Sequence, residues 1–209
     1  MQQLSLSNFK KGLALTLLTA FVTFIFNYFI GKNELFLLFN ADLGKAADYI
    51  FVFFTFLGDG VWWILIFLLF ILFRKKQLPI LVFSFILQEL FVELFKTFLI
   101  PNQPRPAKAI ADAALIHTVK GVELHSIGSF PSGHTTQAFV FFLLACLVID
   151  KKWIVAVGFF YALLIGYSRV YLAQHFPRDV AGGMLFASIS VLLSLMIYKK
   201  LFDKKNALL

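Results

Sequence analysis

Ser168-Arg169-Val170-Tyr171-Leu172-Ala173-Gln174-His175-Phe176-Pro177-Arg178-Asp179 joins two strongly apolar segments. It sets an arginine, a histidine and an aspartate where an unpaired charge is expensive. A charge at bilayer depth costs about 2.5–3.5 kcal/mol on insertion scales, so such residues are functional candidates. His175 and Asp179 lie one helical turn apart, within reach of a carboxylate that fixes an imidazole's tautomer and orientation. Arg169 offers a planar, permanently charged fork suited to an oxyanion such as phosphate. Two more polar islands, Pro131-Ser132-Gly133-His134 and Lys96…Arg105-Pro106, have the character of parts of the same site.

Working outward, the chain has 209 residues, 60% of them hydrophobic, 28 of them Phe. No soluble domain of this length carries so much apolar residue, so this is an integral membrane protein. The single cysteine, Cys146, excludes an internal disulfide and says nothing of redox compartment. A formal charge of +8 raises nucleic acid as a partner, but the basic residues sit mostly in short clusters between apolar spans, which argues against it.

Six apolar segments, each near the roughly 20 residues that cross a bilayer as a helix, predict an all-α polytopic bundle of six transmembrane helices. They run Leu13–Ile30, Tyr49–Phe73, Leu78–Ile100, His134–Val148, Trp153–Leu172 and Val180–Tyr198. The fourth is short and is expected to sit recessed at one end. Lys10 and Lys11 ahead of the first give it the look of a secretion signal. Its apolar run is too long and no small-residue cleavage site closes it, so it reads as a retained anchor. Without an internal repeat or low-complexity linker, residues 1–209 read as a single domain.

Orientation follows from charge. Lys10-Lys11, Arg74-Lys75-Lys76, Lys151-Lys152 and Lys199-Lys200 with Lys204-Lys205 fall on one side and hold eleven of the 19 basic residues. The positive-inside tendency then puts both termini in the cytoplasm and all three polar islands on the opposite face. The longest connection, residues 101–131, also lies there. Its opening, Pro101 to Pro106, should be stiff and extended. Ile110, Ala113, Ala114 and His117 then recur at helical spacing and predict a short interfacial helix, a lid or simply a surface closure. His117 and His125 read as solvated loop residues.

Each island has its own chemistry. Ser132 is a good N-cap for the fourth span, Gly133 permits close backbone approach, and a helix N-terminus with free N–H groups receives an anion. His134, at its edge, can give a proton to a leaving alkoxide; on its own the island reads first as a capped helix start with an interfacial histidine, and beside the other island as part of a site. His175 is the better nucleophile, because Asp179 can leave one ring nitrogen as an acceptor. Asp179 also suits the N-cap of the last span. Lys96, Arg105 and Arg169 supply positive charge around a phosphoryl group, which needs positioning and charge stabilisation above all. Lys96 has rival roles, a pair with Glu93 three residues earlier or an interfacial flank. No surplus His/Cys/Asp cluster has ligand spacing, so neither metal nor cofactor is expected.

Taken in order, the Pro-Ser-Gly-His box at 131–134 and the Ser-Arg-(five)-His-(three)-Asp box at 168–179 resemble the type 2 phosphatidic acid phosphatase family, whose wider superfamily includes vanadium haloperoxidases. The family's first box, Lys-(six)-Arg-Pro, is matched with eight residues between Lys96 and Arg105. The resemblance implies a membrane lipid phosphatase with His175 as nucleophile, Asp179 as its orienter and His134 as general acid, acting through a phosphohistidine. Lys96, Arg105, Ser132, Gly133 and Arg169 would hold the phosphate. It implies a lipid phosphate as substrate partner, of the phosphatidate, phosphatidylglycerophosphate, undecaprenyl diphosphate or lipid A class. Size and charge layout suggest a bacterial inner membrane.

Polar residues outside the boxes leave another class open. Gln88, Glu89 and Glu93 lie within the third span and Asp59 between two glycines in the second. Asp59 and Glu89 come to similar depth, so a hydrogen-bonded contact between these spans is expected, with Gly58 and Gly60 allowing close approach. The same carboxylates could line a transport path, although no paired broken helices or repeat accompany them. A lipid phosphotransferase with the same site would share the first chemical half.

Overall fold

The computed structural model describes residues 4–203, so Lys204-Lys205 of the last basic cluster lie outside the described residues. The described residues are helices and connections without a strand. In chain order the helices are α1 (Leu6–Ile30), α2 (Lys32–Phe39), α3 (Lys45–Leu57), α4 (Trp62–Phe73), α5 (Leu78–Glu93), α6 (Pro106–Ala109), α7 (Gly133–Val148), α8 (Trp153–Tyr171) and α9 (Pro177–Tyr198). A π-helical turn, Leu94–Leu99, continues α5.

By length and apolarity, four helical stretches can cross a membrane: Leu6–Ile30, Lys75–Leu99, Trp153–Tyr171 and Pro177–Phe202. The expected second span, Tyr49–Phe73, is instead two helices, α3 and α4, bent by 52° at a break. Gly58 and Gly60 are poor helix formers at that point. Three carbonyls at the break accept from side chains, and two of them, those of Phe56 and Asp59, also from the backbone N–H groups of Asp59 and Trp62. Trp62 Nε1 donates to Phe56 O at 2.9 Å, Tyr161 Oη to Leu57 O at 3.1 Å and Gln137 Nε2 to Asp59 O at 2.7 Å.

With the bent pair counted once, length and apolarity support up to five crossings, and α7 is a shorter apolar helix of 16 residues. Its length has a packing reason. Thr135 to Leu144 are buried without interruption among α1, α8 and α9, so α7 meets other helices rather than lipid. A helix apolar on all sides is a core helix. At its far end α7 is tied to the start of α1, where Ser5 N donates to Leu147 O at 2.8 Å and Asn8 Nδ2 to Ile149 O at 3.1 Å.

The connection 101–131 departs from expectation. A four-residue helix, α6, and a 3-10 turn at Ala113–Leu115 replace the predicted helix through Ile110 and His117. Asp112 explains it: its carboxylate accepts from Ala114 N at 3.0 Å, a local bond that competes with helical pairing. Ile110 and Ile116 are buried and pin the loop down. His117 is also enclosed rather than solvated. Its ring packs on Tyr171 at 4.7 Å between centroids, with Nε2 3.2 Å from Asp48 Oδ1, while His125 is exposed as expected.

Candidate active site

The two complete motif boxes meet at one end of the α7–α9 pair. Ser132 N donates to Asp179 O at 3.0 Å, a direct bond between them. Gly183 lets the helices close: a Cβ there would stand 2.8 Å from Ser132 O and 3.0 Å from Thr136 N. Ser132 caps α7, its Oγ accepting from the Thr135 hydroxyl at 2.9 Å and weakly from Thr135 N at 3.4 Å.

Lys96 arrives from the π turn that ends α5. π turns recur at functional sites because they re-aim a side chain. A Cβ on Gly133 would lie 3.8 Å from Lys96 Nζ, so this ammonium stands over the first residue of α7. The rival partner does not hold it: Glu93 accepts from Thr97 Oγ1 instead, at 3.1 Å. Among the described residues Lys96 Nζ has no hydrogen-bond or ion-pair partner.

Arg169 sits in the last turn of α8, where a cation suits the helix dipole. One guanidinium nitrogen donates to the Thr55 hydroxyl of α3, and its buried Nε has no acceptor among the described residues. A buried N–H on a cation without an acceptor suits an oxyanion. Arg105 is more committed. Its guanidinium donates to Ile127 O at 2.9 Å, Gly128 O at 3.4 Å, and Gln174 O and Oε1 at 3.2 and 3.1 Å. It therefore braces the loop and the residue before His175, with one of five N–H groups to spare.

His175 is buried, only 2% exposed, in the turn between α8 and α9. Its backbone N–H donates to Arg169 O at 3.0 Å. Nδ1 stands 3.7 Å from Asp179 Oδ2, an ion-pair distance longer than a hydrogen bond. Oδ2 is already held by Ser129 Oγ at 2.5 Å and Phe176 N at 2.9 Å. Asp179 is thus the third residue of a capped α9, not its N-cap, and faces His175 from that fixed position. Burial, opposed by Asp179 and reinforced by Arg105 and Arg169, pulls the His175 imidazole down to about 3. The ring is neutral at pH 7, with a lone pair available to attack. Lys32 Nζ and Phe36 of α2 clamp the Phe176 ring from outside, at 4.3 and 5.5 Å.

His134 lies one residue into α7, 28% exposed, and its Nε2 contacts Asp59 Oδ1 at 2.8 Å. The expected Asp59–Glu89 contact is therefore replaced: Asp59 serves His134, while Glu89 is exposed and accepts from Gln88 at 2.9 Å. Arg169, His175, Lys96 and Arg105 all bear electrostatically on His134. Every motif residue singled out in the sequence thus falls at this end of the molecule.

Four residues join that the boxes do not specify. Asp59 carries a signal, as an intramembrane carboxylate between glycines. Gln174 hides among the motif's variable positions, and Thr55 and Ser129 give no sign in the sequence. Asp42, Asp48 and His117, none of them a fixed residue of the boxes, bring ligand atoms within 4.8 Å of one another. Asp48 Oδ1 also accepts from Tyr171 Oη at 2.7 Å, so these groups pair with one another.

Residues 77–203 match the PAP2 superfamily. An undecaprenyl-diphosphatase of Sulfolobus acidocaldarius is 31% identical over 175 residues, 80% of this chain and 79% of that protein. Phosphatidylglycerophosphatase B of Bacillus subtilis is 40% identical over 86 residues, 37% of this chain and 40% of that protein. The crystal structure of Aquifex aeolicus LpxE superposes with a TM-score of 0.69 at 35% identity, covering 78% of this chain and 93% of the other.

Proposed function

The chain belongs to the PAP2 superfamily, and from that premise we propose that it is an integral membrane lipid phosphatase, a single domain over residues 1–209. It removes a phosphomonoester or terminal phosphate from a lipid of the phosphatidate, phosphatidylglycerophosphate, undecaprenyl diphosphate or lipid A class. The observation that carries this reading is the Ser132 N to Asp179 O bond, which joins the box of His134 to the box of His175.

Lys96, Arg169, the spare N–H of Arg105 and the N-terminus of α7 at Ser132-Gly133 hold the phosphate. They stabilise charge on its oxygens where water is scarce. Neutral His175, faced by Asp179, attacks phosphorus in line and the lipid oxygen departs with a proton from His134. Water then hydrolyses the phosphohistidine with His134 as base. The site faces the non-cytoplasmic side, where the outer leaflet presents the phosphate, and a bacterial inner membrane suits that arrangement.

Phosphate release by purified protein from a panel of the four lipid classes is the test. At least one class should turn over, and His175→Ala should lower that rate by about 10³-fold or more. Labelled phosphate should be recovered on His175 after an alkaline quench. Full activity in His175→Ala overturns the assignment. Substrate flux into liposomes without phosphate release would put a transporter in its place.

A further inference from the structure

The break between α3 and α4 delivers a second carboxylate to a second histidine. Gly58 is needed for the approach: a Cβ there would meet Ile165 Cγ2 at 2.7 Å, the His134 ring carbon Cδ2 at 3.1 Å and the His134 Cβ at 3.2 Å. Asp59 follows, and Gln137, one helical turn beyond His134 on α7, holds the Asp59 carbonyl at 2.7 Å. The aspartate is thereby keyed to the helix that carries the histidine. Its Oδ1 then receives His134 Nε2 at 2.8 Å. Asp59 is 46% exposed, so the pair borders solvent while His175 and Asp179 are shut away.

Resting on the phosphatase reading above, we propose that Asp59 is a positioning residue for the reaction. It holds the Nε2–H of His134 and so makes Nδ1 the nitrogen that exchanges protons with substrate. A hydrogen bond at one ring nitrogen sets which proton the other carries. The site then contains two aspartate–histidine pairs with separate tasks. In the first step His134 is an imidazolium. As the P–N bond to His175 forms and the P–O bond to the lipid breaks, the Nδ1 proton passes to the departing oxygen. In the second step the oxygen of water bonds to phosphorus and a water proton goes to Nδ1. The P–N bond breaks and its electron pair returns to the His175 ring. Asp59 stays on Nε2 throughout.

A matched pair of substrates tests this, a long-chain alkyl phosphate and a nitrophenyl phosphate bearing the same chain. An alkoxide needs the proton and a nitrophenolate does not. In Asp59→Asn the single-turnover rate on the alkyl ester should fall about 10²-fold or more. The first-turnover burst of nitrophenolate should stay within about threefold of wild type, and phosphohistidine should accumulate after it. Asp59→Glu, which keeps the carboxylate, should recover part of the alkyl-ester rate. It also supplies the comparison if the Asn variant does not fold, with the alkyl rate reduced and the burst intact. An equal fall on both esters, or none on either, overturns the role of Asp59 and leaves the phosphatase reading standing. Wild-type protein inert on both esters, and on the lipid panel, sinks that reading and the pair with it.

Discussion

Asp179 sits at 0% exposure with three kinds of neighbour on one carboxylate. A serine hydroxyl and a backbone N–H hold Oδ2, and Arg178 Nε stands 3.5 Å from Oδ1. A buried carboxylate survives only when it is bonded or paired in this way. Asp179→Asn keeps the shape and removes the charge, so the helix cap should persist in weakened form. The orientation of His175 should not, and kcat/KM should fall about 10²- to 10⁴-fold with little change in far-UV circular dichroism. A variant with unchanged kcat/KM would show that His175 needs no partner. The pH profile follows from the burial of His175. Its pKa is lowered to about 3, so the attacking neutral ring persists as pH falls through 6 and 5 and is lost only as pH approaches 3. The acid limb of kcat/KM due to this histidine should therefore lie well below the ordinary value near 6.5. The sign for folding is matched: between pH 6.5 and 3 the unfolded chain binds this proton and the folded one does not, so His175 weakens the fold as pH drops. A limb at 6.5 or above that vanishes in His175→Ala contradicts this.

Among the elements, the α7–α9 contact and the anchoring of the outer loop decide whether the motif residues meet. Gly183→Ala forces a methyl against the Ser132 carbonyl and the Thr136 amide, backbone atoms that cannot turn aside. Overpacking of this kind costs about 1–3 kcal/mol, and activity should fall with the melting temperature because both boxes ride on these helices. Gly60→Ala, with nothing within 4 Å of the added carbon, should do neither. Asn40 ends α2 and bonds to Tyr171 O at 2.8 Å, Val170 O at 3.1 Å, and both backbone groups of His117. Asn40→Ala leaves these buried groups unpaired, at about 1–3 kcal/mol. It should speed tryptic cleavage at exposed Lys120; an unchanged rate would mean that the loop is held elsewhere. The sequence exposes such devices unevenly. His134, His175 and Arg169 were legible because charge in apolar surroundings has few explanations. Asn40 and Ser129 were not, since their worth lies in carbonyls and a carboxylate that arrive from distant parts of the chain. The bend at Asp59 read as one straight span because hydropathy averages over a four-residue break. Whether such a break is stable depends on Trp62, Tyr161 and Gln137, two of them on other helices.

For the whole molecule, the helices act as struts that separate two chemically different ends. α5, through its π turn, and α8 run toward the site and bring Lys96 and Arg169 to it, while α7 and α9 start there. The opposite end collects Lys10-Lys11, Arg74-Lys75-Lys76, Lys151-Lys152 and Lys199-Lys200, and there Ser5 Oγ donates to Asp150 Oδ1 at 2.8 Å, tying the start of α1 to the turn before α8. Lysines and arginines near span ends bias that side toward the cytoplasm. The site end has its own cations, but two of them are turned inward: Arg169 and Arg105 are buried. They are part of the fold rather than free charge for the orientation to count. The basic end should accordingly face inward and the loop 101–131 outward. Single cysteines report this directly, since native Cys146 is buried and should not react. In intact cells a membrane-impermeant maleimide should label Lys120→Cys and leave Lys151→Cys untouched until the membrane is opened. The reverse pattern would turn the site toward the cytoplasm, and equal labelling of both would mean that these clusters do not fix the topology. Either outcome would move the substrate from the outer leaflet to the inner one, or to both, while leaving the chemistry at His175 as it is.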